Sequence, residues 1–143
     1  MRYSLAVFLF FLFVSCDSGN GQLRSEWSEA QVLQKREKVK EVMAIHDEAM
    51  PWMDEIHSLR KKIEERKTTS NSDSLTYYYD SLLMDLDNAD NIMMTWMRRY
   101  KEPNDTGKLD LALGYLENEK IEISKVRDQM AKAIQNAKDA INK

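Results

Sequence analysis

Apolar side chains return every three or four residues along most of this chain, the spacing of one face of an α-helix. Between about residues 25 and 67, Val42, Ile45, Ala49, Trp52, Ile56, Leu59 and Ile63 form one stripe, and Val39, Met43, His46, Met50, Met53 and His57 form its neighbour. Two adjacent stripes predict one wide buried face, while Asp47, Glu48, Asp54, Glu55, Ser58, Lys61, Lys62 and Glu65 mark the solvent side. The phase holds across Pro51. That residue lacks a backbone donor and crowds the carbonyl of Asp47, so a kink rather than a break is expected there.

Polar residues 68–73 then read as a loop, with Asp73 or Ser74 capping the next helix. This second helix, about 74–101, carries Leu75, Tyr78, Tyr79, Leu82, Leu86, Ala89, Met93, Trp96, Met97 and Tyr100 on its apolar face. A turn at 102–107, with Pro103 and Gly107, precedes a third helix over about 108–142. Its stripe, Ala112, Leu116, Ile123, Val126, Met130, Ala133, Ala137 and Ala140, is close to a heptad seam. Three long amphipathic segments joined by two short loops predict an all-α fold, an antiparallel, coiled-coil-like three-helix bundle spanning 25–143. The first helix is longer than the second, so residues 24–38 are expected to project beyond it as a stalk.

The extreme N-terminus has a different pattern. A basic start and ten apolar residues, Leu5 to Val14, lead through Ser15 to Cys16, the sole cysteine. These are the parts of a secretory signal peptide (1–15), and the run is too short to span a bilayer. Phe13-Val14-Ser15-Cys16 resembles a bacterial lipobox, with Phe where Leu is usual. The resemblance implies lipidation at Cys16, including an amide-linked acyl chain such as palmitate, and a flexible tether over 16–24. Removing residues 1–15 leaves 128 of 143 residues, enough for one domain, with a net charge of about −4. That charge argues against a nucleic-acid partner. No basic cluster adjoins Cys16, and one cysteine allows no internal disulfide.

Antiparallel pairing of the first two helices places residues whose numbers sum to about 140 at one level. His46 is then expected opposite Met93, Met94 and Met97, with Met50 opposite Asp90. A methionine–histidine cluster outside the cytoplasm suggests copper(I), because thioether sulfur is a soft ligand and imidazole also binds copper. The candidate ligands are Met43, His46, Met50, Met93 and Met97; Met53 and His57 form a second, weaker pair, and Asp90 could orient His46. The competing reading is core packing, since methionine fills gaps and contacts aromatic rings such as Trp52, Trp96 and Tyr115. A further, remoter expectation is a small-ligand pocket beside Gly114 and the Pro51 kink. No phosphate-binding glycine loop or serine–histidine pair suggests catalysis. Glu48, Glu55, Glu119 and Glu122 read as a solvated face or bundle edge.

The lipobox, the run HDEAMPWM, the run NADNIMMTWMRRY and the charged third helix together resemble a family of small Bacteroidota lipoproteins often labelled "viral A-type inclusion protein". The resemblance spans essentially the whole chain and implies a bacterial envelope lipoprotein with no catalytic residue to transfer. In some Bacteroidota lipoproteins an acidic run just after the cysteine resembles a surface-export signal; here Asp17 is the only acid before Glu26, so the resemblance implies a periplasm-facing anchor rather than surface display. The sequence therefore leads to a lipid-anchored, non-enzymatic bundle with a binding or structural role and an envelope protein as partner. The alternative is a periplasmic copper(I)-binding protein.

Overall fold

The computed structural model describes residues 27–142. The expected signal peptide, Cys16 and the tether lie outside the described residues. Four helical segments make up an all-α bundle: α1 Glu29–Ala49, α2 Trp52–Thr69, α3 Asp73–Arg99 and α4 Leu109–Ile141. No described helix is long and apolar enough to cross a membrane.

The helix expected to begin near residue 25 begins at Glu29. There Ser28 and Gln31 form a capping box: Gln31 N–H donates to Ser28 Oγ at 3.4 Å, and Ser28 N–H donates to Gln31 Oε1 at 2.8 Å. Pro51 interrupts the hydrogen-bond ladder while Met50 and Pro51 keep right-handed helical dihedrals (φ −55°, ψ −42° and φ −61°, ψ −19°). Pro51 offers no N–H to Asp47, and the ladder resumes with a tighter bond from Met53 N–H to Met50 O. The expected cap at Asp73 or Ser74 falls one residue early, on Ser72, whose side chain makes no capping bond.

The core is a column of Val42, Ile56, Ile63, Leu86, Met93, Leu116, Ile123 and Met130, all fully buried. The α4 stripe faces it as expected, Val126 being half-buried. α1 and α4 run parallel. Cross-helix ion pairs hold them in a register of 79 residues, Lys38 with Glu117, Glu41 with Lys120 and Glu48 with Arg127, and beyond Pro51 the offset becomes 83, Glu55 with Lys138.

The antiparallel α2/α3 register differs from the expected one. His57–Asp90, Arg60–Asp87 and Lys67–Asp80 each sum to 147 rather than about 140. The apex of the turn therefore lies near residue 73 instead of residue 70, and α3 overshoots the end of α2 by about a turn. Leu75 and Tyr78, expected on the buried face, are exposed on that first turn together with Tyr77.

The expected stalk is also overturned from Trp27 onward. Trp27 is 7% exposed, and its indole Nε1–H donates to Gly107 O at 2.7 Å. Residues 100–108 form a non-helical strap, bent at 105–107 with Gly107 at φ 78°, that takes the place of a third helix at this level. At about 3.3 Å per extended residue, these nine residues can span the ~20 Å of α1 that α3 leaves uncovered. Lys35, only 6% exposed, pins the strap: its Nζ lies 2.9 Å from Glu102 Oε1, 2.6 Å from Asp105 Oδ1 and 3.0 Å from Pro103 O.

Candidate functional site

His46 lies near the end of α1 on its boundary face, and Asp47 Oδ1 is 2.8 Å from its Nδ1. That contact favours a proton on Nδ1 and leaves the Nε2 lone pair for another ligand. The ring stands 5.6 Å from that of Trp96. Trp96 stacks on Tyr100 at 5.0 Å, Tyr100 lies 6.4 Å from Tyr115, and Tyr115 Oη accepts from Lys101 N–H at 3.0 Å. An aromatic column thus runs from His46 to the strap.

The methionines named from sequence divide by depth. Met93 is fully buried in the central column, whereas Met43, Met50 and Met97 are half-buried around it. Met53 is buried and His57 is exposed, so that pair points to opposite environments despite its one-turn spacing. Asp90 does not orient His46. Its Oδ1 lies 3.1 Å from His57 Nε2, because the 147 register moves Asp90 two turns along the first helical rod from the expected place.

For copper(I), the donors that fit chemically are one imidazole nitrogen, His46 Nε2, and thioethers from Met43, Met50 and Met97. Among the described residues, no three His, Cys, Asp or Glu side chains are placed to hold one metal ion. Gly114 and Pro51, beside which a small-ligand pocket was expected, are both exposed, and a Cβ placed on Gly114 would meet nothing within 4 Å.

Three buried polar atoms near the aromatic column have no hydrogen-bond partner: Trp96 Nε1, Tyr100 Oη and Glu119 Oε2. Burial pushes the Tyr100 phenol above its ordinary pKa, with the negative charge of Glu102 adding to the effect. Glu119 is buried rather than on a solvated face, with Arg99 at 3.7 Å. Burial lowers the Lys35 pKa, but hydrogen bonds to Asp105 and Glu102 and their charges outweigh it, leaving the ammonium above its usual range. Sequence reasoning missed Lys35. Its place in phase with Val42 and Ala49, at seven-residue steps, was the available signal.

Set against models of protein families, curated proteins and solved structures, the chain matches none of them.

Proposed function

We propose that this protein is a lipid-anchored helical bundle of the bacterial cell envelope with a non-enzymatic binding or structural role. The observation that carries the reading is the setting of Cys16, a lone cysteine directly after an apolar run and a small residue. The head adds support. Its interior is filled by apolar side chains from Val42 to Met130, and many of its charged groups hold helices in register. The resemblance to small Bacteroidota lipoproteins agrees with this. Labelled fatty acid should enter the wild-type chain and not Cys16→Ser, which should also lose its processing; label retained in Cys16→Ser would refute the anchor.

A second reading, a periplasmic copper(I) carrier, is favoured by one observation. The Asp47 contact leaves His46 Nε2 available on a half-buried face that also bears methionines. Competition against a copper(I) chelator separates the readings. A one-to-one site weakened by His46→Ala and by Met50→Leu supports copper, and binding that survives both substitutions removes it.

A further inference from the structure

Sequence offers no basic cluster next to Cys16, but the fold gathers basic side chains of residues 99–108 at the Trp27 end of the bundle. A groove of about 630 Å³ lies between the strap and the start of α4. Arg99, Lys101 and Lys108 line it, and Leu111, Ala112 and Tyr115 supply its apolar side. Leu111 is 70% exposed. One acid, Glu102, also lines the groove, but it is paired with Lys35, as is nearby Asp105, and Glu119 faces Arg99. Asp110 precedes Leu111 but does not line the groove. Among the described residues, Lys101 and Lys108 have no ion-pair partner. The groove is thus cationic around an exposed leucine.

Its place on the rod identifies the occupant. Gly107, next to Lys108, accepts the Trp27 hydrogen bond, so the groove lies at the end of the bundle where the N-terminal 26 residues enter. We propose that this groove rests on the anionic headgroups of the membrane that holds the lipid anchor. Lys101 and Lys108 take headgroup phosphates, and Leu111 enters the acyl boundary. Basic side chains around an apolar one suit such a surface, because the cations gain from the surface potential while the leucine leaves water. The contact supplements the acyl chains and sets how the head stands, with α2 and the far end of α4 directed away from the bilayer.

This inference rests on lipidation at Cys16, so its test uses the acylated mature chain. The protein is reconstituted on vesicles of phosphatidylcholine, with or without phosphatidylglycerol, and its lysines are modified with an amine reagent. Lys101 and Lys108 should react about fivefold more slowly on the anionic vesicles, with Lys61 and Lys62 on α2 unchanged. An environment-sensitive fluorophore on L111C should shift to the blue on anionic vesicles and lose that shift when K101E and K108E are added. Equal reactivity at Lys101 and Lys108 on both vesicles, or slowing shared by Lys61 and Lys62, overturns the headgroup contact while leaving the anchor intact. Failure of the mature chain to sediment with neutral vesicles overturns the anchor, and the contact with it.

Discussion

Lys35 Nζ lies 2.6 Å from Asp105 Oδ1, joining the second turn of α1 to a strap 70 residues later in the chain. The ammonium is nearly excluded from water, whereas its two carboxylate partners are partly exposed. Removing the lysine therefore leaves acids that water can recover, and removing an acid leaves a buried cation.

Lys35→Met should lower unfolding free energy by about 1–3 kcal/mol, the range for a charge-assisted buried contact whose partners can be rehydrated. Asp105→Asn should couple to it. In a double-mutant cycle read by urea unfolding, a coupling below about 0.5 kcal/mol would mean that the strap is held by other contacts.

Trp27 tests whether the start of α1 is part of the head. Trp27→Ala should cost about 3–5 kcal/mol, as for other buried aromatic truncations. Trp27→Phe should cost about 1 kcal/mol through loss of the bond to Gly107 O. Slow amide exchange over 32–40 should accelerate in the alanine variant. A free stalk would show fast exchange there in the wild type and no change in stability with either substitution.

The α1/α4 ladder makes a prediction about acid. Hydrogen bonds from Lys120 and then Lys38 hold the Glu41 carboxyl below its ordinary pKa of 4.5. Since the folded pKa is depressed, the carboxylate contributes stability above the unfolded value and loses it as pH falls through the folded value. Glu41→Gln should thus be less stable than wild type at neutral pH, and the two unfolding midpoints should converge only below the usual carboxylate range, as pH falls through the depressed folded value. A gap that persists in acid would assign the effect of Glu41 to packing rather than charge.

Met93 separates packing from ligation. Met93→Leu conserves volume and should cost less than about 1.5 kcal/mol, whereas Met93→Ala opens the fully buried column and should cost about 2–5 kcal/mol. A Met93→Leu chain that keeps its stability yet loses copper(I) affinity would place this sulfur among the ligands. Unchanged affinity would confine it to the core.

Helical periodicity alone determined the apolar side chains buried by α3 beyond its first turns and by α4, from Leu82 and Leu86 to Met130 and Ala137, because those faces follow from 3.6 residues per turn and the cost of exposing apolar area; it did not foresee exposed Leu75 and Tyr78 or buried Glu119. Cys16 and the run before it likewise depend only on local order in the sequence. Axial register along α2 was not legible, although His46 does meet Trp96 close to its expected level. A shift of α3 by two turns along α2 leaves the same stripe inward and changes only which residues lie level, so Asp90 came to His57 instead of His46. Nor could periodicity foresee the strap, whose nine residues have no helical phase and are placed by Lys35, Trp27 and Tyr115. Local sequence decided the faces, by solvation, and tertiary structure decided the levels, by long-range ion pairs and by how far each connection travels before the next helix begins.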